Sequence, residues 1–291
     1  MSEILLTGGS GQVGTALRQL SWPDGVALVA PGRAALDLAD PAALAAAVHS
    51  RPWALVINCA AYTAVDKAES DVVPAWTANA LAPAALAAAT AQKNIPILQV
   101  STDYVFDGAK ATPYVETDPV GPLGVYGASK EGGEQAVRTA NPRHLILRTA
   151  WVVSATGSNF VKTMLRLGAD RPLLRVVADQ HGCPSSAADV AAAIATIAAL
   201  QINDANCPRG TYHFTNADET TWHGFAQEIF RQAAARGGPS PQLVAIATAQ
   251  FPTPARRPAN SRLSSAKIAR DFGIAPQPWQ AALGQILAQL L

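Results

Sequence analysis

The 291 residues, 49% of them hydrophobic and 15% charged, are enough for one large or two moderate domains and exclude a disordered chain. The formal net charge of +1 gives no basic field that would attract nucleic acid or an anionic membrane, so neither is expected as a partner. The three cysteines contain no CxxC pair, and no segment resembles a leader peptide or a membrane span, so we expect a cytoplasmic protein.

Short apolar runs alternate with helical patterns in the first half of the chain, which is typical of βαβ units on a parallel sheet. The predicted strands cover residues 4–7, 26–30, 55–59, 97–101 and 145–149. The predicted helices cover residues 11–20, 41–49, 83–93 and 125–140. A segment rich in Gly, Pro, Asp and Thr, residues 103–124, indicates a functional loop over the sheet.

The alternation weakens beyond about residue 150. Helices are predicted at 159–167, 189–200, 222–236 and 264–291, a strand at 210–214, and a proline-rich loop at 237–260. The pattern predicts an α/β fold, a Rossmann-type doubly wound parallel sheet with a smaller C-terminal substrate-binding lid. Residues 1–150 would form a nucleotide-binding domain. Residues 151–291 would form mainly the lid, with some segments returning to the first domain and the active cleft between the two.

Three glycines lie between the first predicted strand and the first predicted helix. Gly8, Gly11 and Gly14 follow a GxxGxxG spacing rather than the GxGxxG of the usual dinucleotide fingerprint. Glycine permits a tight turn and a close backbone approach, and the helix N-terminus offers free N–H groups to a pyrophosphate. The position of this loop at the start of the chain predicts a dinucleotide site.

The end of the second predicted strand bears on the choice of dinucleotide. An acidic residue there would bind the ribose 2′-hydroxyl of NAD, but residues 29–33 contain no acid and one arginine, Arg33. An arginine at this point could accept the 2′-phosphate of NADPH, which favours NADPH while NADH stays possible. The alternative is that Arg33 is a solvated loop charge.

A tyrosine and a lysine share one face at the start of the helix predicted at 125–140. Tyr126 and Lys130 form a YxxxK motif, about one helical pitch apart. A phenol with a pKa of about 10 is a poor acid–base catalyst, and a neighbouring ammonium favours the phenolate. Ser101-Thr102-Asp103 ends a strand, so a hydroxyl there could bind a reacting carbonyl. The motifs together predict a carbonyl reductase with Tyr126 as its proton donor.

These three motifs resemble the extended short-chain dehydrogenase/reductase superfamily. Within it, longer stretches resemble the dTDP-4-dehydrorhamnose reductase family and extend over almost the whole chain. They are residues 58–69, 101–108, 122–127, 148–151, 159–164, 179–184 and 252–261.

The resemblance implies NAD(P)H-dependent reduction of the C4 keto group of dTDP-4-dehydro-6-deoxy-L-mannose to dTDP-L-rhamnose, for polysaccharide precursors such as those of lipopolysaccharide. It implies that Tyr126 protonates the C4 oxygen and that Thr102 polarises the carbonyl. Lys130 would hold the nicotinamide ribose and lower the pKa of the tyrosine.

The resemblance also implies binding residues for the two ligands. The cofactor positions are Gly8, Gly11, Gln12, Val13, Asp37, Leu38, Ala60, Ala61 and Tyr62, in addition to Arg33, Tyr126 and Lys130. The sugar positions are Thr102, Asp103 and Trp151. The arginines at 256 and 257 are candidates for the nucleotide diphosphate, with Arg256 preferred, although both could be solvated charges.

Two of these sugar positions have alternatives. Nucleotide-sugar dehydratases carry an Asp-Glu pair after the threonine, whereas this chain has Asp103-Tyr104 and should reduce without dehydrating. Asp103 could instead be a structural turn residue, but we favour a substrate contact. Trp151 could stack on a deoxysugar or belong to the core.

The chain departs from its family at one point. Some members dimerise around Mg²⁺ held by glutamates, and the aligned positions here are Thr15 and Ala188, which supply no carboxylate. We therefore expect metal-independent activity and a monomer or weak homodimer. Two other functions stay open. One is a reductase of another nucleotide sugar, and the other is a non-catalytic NADP-binding partner that resembles the methionine adenosyltransferase β subunit.

Overall fold

The computed structural model describes residues 1–204 and 206–291. The strands are β1 Ser2–Thr7, β2 Val26–Val29, β3 Leu55–Asn58, β4 Ile97–Thr102, β5 His144–Thr149, β6 Val152–Val153, β7 Leu173–Val177, β8 His181–Gly182, β9 Ser185–Ser186, β10 Gly210–His213, β11 Thr220–Thr221 and β12 Gln242–Ile246. The helices are α1 Gln12–Gln19, α2 Pro41–His49, α3 Val65–Ala68, α4 Val72–Trp76, α5 Ala82–Gln92, α6 Val125–Ala140, α7 Phe160–Asp170, α8 Ala187–Asn203, α9 Trp222–Ala234, α10 Ala266–Phe272 and α11 Trp279–Leu290.

The central sheet has six parallel strands in the order β10-β5-β4-β3-β1-β2. Its inner strands are buried on both faces, which explains their nearly continuous apolar sequence. Helices α1 and α8 pack together on one face, and α2, α5 and α6 pack on the other. The predicted doubly wound α/β fold is confirmed.

A separate hydrophobic core forms outside the sheet. It joins α7, α9 and α11, with Phe225, Trp279 and Leu283 among its buried side chains. Two short strands border it, because β7 and β12 pair in parallel from Leu173 to Val177. The loop predicted at 237–260 is therefore wrong at β12. Both strands form only a two-stranded sheet with exposed alternate residues, so neither carries the long apolar run of a buried strand.

Residues beyond 150 contribute to both cores. Strand β10 extends the central sheet beside β5, and α8 and α10 add buried side chains to the same core. The helix predicted at 264–291 is two helices, because α10 ends at Phe272 and the next residue, Gly273, adopts the left-handed conformation that stops a helix. The division into domains at residue 150 stays a prediction.

One helical segment passes the length and composition test for a membrane span. Val72–Gln92 combines α4, a π-helical turn at Thr77–Leu81 and α5. The sequence prediction overlooked this segment, because only its second half was assigned to a helix. Its α5 half packs between α2 and α6 on the central sheet, as a core helix of a soluble protein does.

Candidate active site

The glycine loop follows β1 where the strand order changes direction, at the carboxyl edge of the sheet. A Cβ on Gly8 would lie 2.5 Å from the Ala60 nitrogen, and one on Gly14 would lie 2.1 Å from the Gly8 oxygen. Only glycine fits these two positions. Helix α1 begins at Gln12, after the N-cap residue Gly11, with no side-chain cap and no acid in its first turn, so its N–H groups are available to a pyrophosphate. The loop therefore fits a dinucleotide.

The side chain of Gln12 points towards the second half of the chain rather than into the loop. Its amide oxygen accepts hydrogen bonds from Ser154 (2.8 Å) and Asn159 (2.9 Å), and its nitrogen donates to the Val152 carbonyl (3.3 Å). Val13 packs into the sheet core. The parts of both residues left for a phosphate are their backbone N–H groups.

The predicted 2′-phosphate and adenine positions follow β2. The Arg33 side chain is 89% exposed, and its Nε lies 3.8 Å from the Asp37 carboxylate, which makes a weak ion pair. Asp37 also accepts a hydrogen bond from the Ala39 nitrogen. Leu38 packs its side chain against the core below. Arg33 is thus free to move towards a phosphate.

The segment that follows β3, residues 60–62, is held in place by side chains that are distant in the sequence. Ala60 lies against Gly8 and is followed by Ala61. The backbone of Tyr62 is bound on both sides by the Asn79 amide, and its hydroxyl donates to Asp71 (2.9 Å). This part of the cleft is therefore set before any ligand binds.

The tyrosine and lysine of the YxxxK motif both lie on α6. Helix α6 begins at Val125, whose nitrogen donates to the Glu69 carboxylate (2.9 Å). The Lys130 ammonium is buried and donates to the Val100 carbonyl on β4 (2.8 Å). The Tyr126 ring packs edge-on against Tyr104, with centroids 5.4 Å apart. The helix thus aligns both side chains with the end of β4.

Burial perturbs the pKa values of both groups. It raises the pKa of Tyr126 to about 12, an effect that a hydrogen bond with Thr102 opposes and the charge of Asp103 reinforces. It lowers the pKa of Lys130 to about 8, although the Glu134 carboxylate favours the charged lysine. In the protein alone, desolvation of the phenolate therefore dominates the pKa of Tyr126. The lowering expected from Lys130 and the bound nicotinamide stays a prediction.

Thr102 and Asp103 stand at the end of β4. The Thr102 hydroxyl donates to Asp103 Oδ1 (2.9 Å) and accepts from the Tyr104 nitrogen (3.2 Å). Burial raises the pKa of Asp103 to about 6, against the lowering effect of its hydrogen bonds. The Asp103 carboxylate is buried, and the Ser261 hydroxyl faces it and favours its charged form. The substrate contact expected of Asp103 stays a prediction.

Trp151 adopts a backbone conformation unusual for a bulky residue, with φ of 47°. Its indole stacks on Trp222, with ring centroids 3.5 Å apart. The same ring lies over Gly182, where an added Cβ would approach it to 2.4 Å. Trp151 is only partly buried. Both sequence interpretations thus have support, because the ring packs on aromatic neighbours and keeps exposed surface.

The two candidate arginines lie in different surroundings. Arg256 is exposed. Arg257 pairs with Asp66 of α3 (2.8 Å), and Asp66 also accepts from the Ala255 nitrogen. The segment 252–261 is further held where Asn260 donates to the carbonyls of the loop after β4. It therefore fastens the two halves of the chain together.

The sequence interpretation missed several polar residues beside the site. Glu134, one turn beyond Lys130, is fully buried and binds Arg148 (2.6 Å) and Ser101 (2.5 Å). Gln99 and Asn58 form a buried pair (2.7 Å) next to Val100, whose carbonyl binds Lys130. These polar residues lie at otherwise apolar positions of the predicted strands and helix, and this was the sequence signal that could have identified them.

Comparisons with known proteins agree with the family that the sequence motifs indicate. The model of the RmlD substrate binding domain family matches residues 1–291. The chain belongs to this family. It is 44% identical over 290 residues to a dTDP-4-dehydrorhamnose reductase of Sinorhizobium fredii, covering 99% of this chain and 98% of the relative.

Two solved structures agree with this assignment. A dTDP-4-dehydrorhamnose reductase of Clostridium acetobutylicum superposes with a TM-score of 0.92 at 36% identity, over 99% of both chains. One from Bacillus anthracis, in complex with NADP, superposes with a TM-score of 0.91 at 32% identity, over 99% of this chain and 100% of the other. The family recognised from the sequence motifs is confirmed.

Proposed function

We propose that this chain is an NADPH-dependent dTDP-4-dehydrorhamnose reductase, which reduces the C4 ketone of dTDP-4-dehydro-6-deoxy-L-mannose to dTDP-L-rhamnose. The observation that carries the proposal is the meeting of Tyr126, Lys130 and Thr102 at the end of β4. Full-length relatives that bear this enzyme name support the substrate class, and a neighbour in complex with NADP supports the cofactor. A cytoplasmic location belongs to the same proposal.

The protonation state of Tyr126 is compatible with a role as proton donor. Burial raises its pKa to about 12 in the protein alone, so the proton is present at neutral pH, and its release requires the favourable charges of Lys130 and of the bound nicotinamide. NADPH, when bound, supplies the hydride. Tyr126 gives its proton to the C4 oxygen, which becomes a hydroxyl, while the Thr102 hydroxyl turns from Asp103 Oδ1 and donates a hydrogen bond to the same oxygen. Lys130, still charged below its pKa of about 8, favours the phenolate that remains.

The sugar subsite is proposed beside Asp103 and Trp151. Asp103 would contact a sugar hydroxyl, and the exposed part of the Trp151 ring would contact the apolar side of the deoxysugar. For the diphosphate we keep Arg256, which is exposed, whereas Arg257 is already paired with Asp66. The Tyr104 hydroxyl, in place of the glutamate of the dehydratases, leaves no second carboxylate for elimination.

The decisive experiment measures NADPH oxidation after addition of the keto sugar, generated in place by the preceding pathway enzymes. We expect turnover, and Tyr126→Phe should lower kcat by roughly 10²–10⁴ because proton transfer is lost. Tyr212→Phe is the matched control, since Tyr212 is a buried tyrosine on the edge strand β10 whose hydroxyl binds Asp271. Failure of the wild type to oxidise NADPH, with normal NADPH binding, would contradict the proposal.

The metal prediction is tested in the same assay. No group of three or more His, Cys, Asp and Glu side chains in residues 1–204 and 206–291 is arranged to hold a metal ion. We expect the rate to survive EDTA without loss. Loss of activity on EDTA treatment, restored by Mg²⁺, would contradict metal-independent catalysis.

A further inference from the structure

A chain of buried hydrogen bonds crosses three strands below the carboxyl edge of the sheet. The Thr7 hydroxyl on β1 donates to Asn58 Oδ1 on β3, and the Asn58 amide donates to Gln99 Oε1 on β4 (2.7 Å). Gln99 Nε2 then donates to the Val100 carbonyl (2.9 Å). The same carbonyl accepts the Lys130 ammonium (2.8 Å). This series of hydrogen bonds thus connects the end of β1, next to the glycine loop, with Lys130.

The donor and acceptor roles in this series of hydrogen bonds are determined by the backbone groups at its two ends. The Val100 carbonyl can only accept, so Gln99 must turn its amide nitrogen towards it and its oxygen towards Asn58. At the other end, the Ala60 N–H can only donate, so Asn58 must present its oxygen there (3.1 Å). The two constraints agree. Neither amide can flip without breaking two buried bonds.

The side chains of this hydrogen-bond series occupy buried strand positions where apolar residues would suffice for folding. Thr7, Asn58 and Gln99 are 4%, 0% and 2% exposed. Strand β3 pairs with β4 only as far as Asn58 and Gln99, so the Val100 carbonyl lies beyond the last residue of that pairing. Burying polar groups is costly unless all of them are bonded. Here the series of hydrogen bonds ends at the Val100 carbonyl, which binds the Lys130 ammonium.

We propose that Gln99 is a positioning residue that fixes the Lys130 ammonium through the Val100 carbonyl. Asn58 and Thr7 extend this link to Ala60 and Gly8, which approach each other closely beside the dinucleotide site. The inference rests on the proposed role of Lys130 in holding the nicotinamide ribose. The link aligns the lysine with the cofactor loop before the cofactor binds.

The first test replaces Gln99 with a side chain of similar length and no polar group. Gln99→Met removes the donor to Val100, and we expect NADPH affinity and kcat each to fall roughly 5- to 30-fold, since one buried hydrogen bond is lost. The KM for the keto sugar should stay within about twofold of the wild-type value. NADPH affinity is measured by fluorescence titration without the sugar, so it is independent of turnover.

Gln201→Met is the matched control. Gln201 is also buried, on α8, and its Oε1 has no hydrogen-bond partner in the described structure. We expect this variant to bind NADPH like the wild type. An equal loss of affinity in both variants, or no loss in Gln99→Met, would overturn the inference.

A double-mutant cycle separates positioning from a general structural effect. In a Lys130→Met background, Gln99→Met should cause no further loss of NADPH affinity, because the group that it positions is already absent. Additive losses would reject the link. The cycle uses binding alone, so it stays valid if the keto sugar proves not to be the substrate, whereas the proposed function would then fail.

A second substitution provides a test if Gln99→Met does not fold. Gln99→Glu keeps the acceptor for Asn58 and places a carboxylate near Lys130, which should raise the pKa of the lysine. The loss of NADPH affinity at alkaline pH should then move to higher pH. An unshifted pH dependence would contradict the inference.

Discussion

Trp151 and Trp222 stack almost in parallel, at an interplanar angle of 9°, although they come from the end of β5 and the start of α9. Phe160 packs against the same Trp222 ring, with centroids 4.6 Å apart. Trp222 thus covers one face of Trp151, and Gly182 permits the ring to lie directly over the backbone. This arrangement fixes the orientation of the ring proposed to meet the sugar.

Gly182→Ala should therefore weaken substrate binding. The new methyl group would meet the Trp151 indole at 2.4 Å, so the ring must move. We expect the KM for the keto sugar to rise roughly tenfold, which is the cost of losing a moderate contact, with NADPH affinity unchanged. Gly284→Ala is the control, because only side-chain tips lie within 4 Å of its added methyl. A KM like that of the wild type would contradict a role for Trp151 in the sugar subsite.

The Lys130 ammonium predicts a specific pH dependence of cofactor binding. Its pKa is about 8 because burial disfavours the charge, so the ammonium is present below this pH and is lost as the pH rises through it. NADPH affinity should fall between pH 7 and pH 9 and should be weak but constant in Lys130→Met. Titrations across this range test the prediction. An equally steep fall in the variant would assign the effect to another group.

Local signals made much of the fold and the placement of Tyr126 and Lys130 predictable. Helix α2 begins and ends where predicted, because Asp40 caps it and Pro41 occupies its first turn. Helix α6 also has the predicted bounds, and the four-residue spacing of Tyr126 and Lys130 suffices to place both side chains on one face.

The positioning residues could not be predicted in this way. Gln99 depends on Asn58, 41 residues earlier, and the Val100 carbonyl depends on Lys130, 30 residues later. No periodicity links such distant positions, since the register of β3 and β4 brings them together only in the folded sheet. The raised pKa of Tyr126 was missed for the same reason, because burial of a side chain is set by the tertiary structure.

The Glu134–Arg148 pair predicts a large stability effect close to the site. Burial alone would raise the pKa of Glu134, but the hydrogen bonds and charge of Arg148, together with Ser101 and Arg138, bring it below its ordinary value. Glu134→Gln leaves the Arg148 charge buried without its partner, which should cost about 3–5 kcal/mol of unfolding free energy at pH 7.

The same pair gives the sign of the pH dependence. Because the pKa of Glu134 is lower in the folded state, its stabilising effect is complete above the ordinary carboxyl pKa and is lost as the pH falls below it. The stability gap between wild type and Glu134→Gln should narrow on acidification, as measured by denaturant unfolding. Glu228→Gln, which breaks a pair with the exposed Arg231 and so leaves no charge buried without its partner, should change stability by less than about 1 kcal/mol. Equal effects of the two substitutions would contradict the prediction.

Cofactor preference is predicted to depend on Arg33. Its side chain is 89% exposed, and its ion pair with Asp37 is long, at 3.8 Å. Little interaction energy is therefore lost when the guanidinium turns towards a 2′-phosphate. Arg33→Ala should weaken NADPH binding roughly tenfold, the value of one charge-assisted contact, and leave NADH binding unchanged. Arg166→Ala removes an exposed arginine from α7 and serves as the control. Competitive titration with both dinucleotides measures the change, and unaltered NADPH affinity would identify Arg33 as a solvated loop charge.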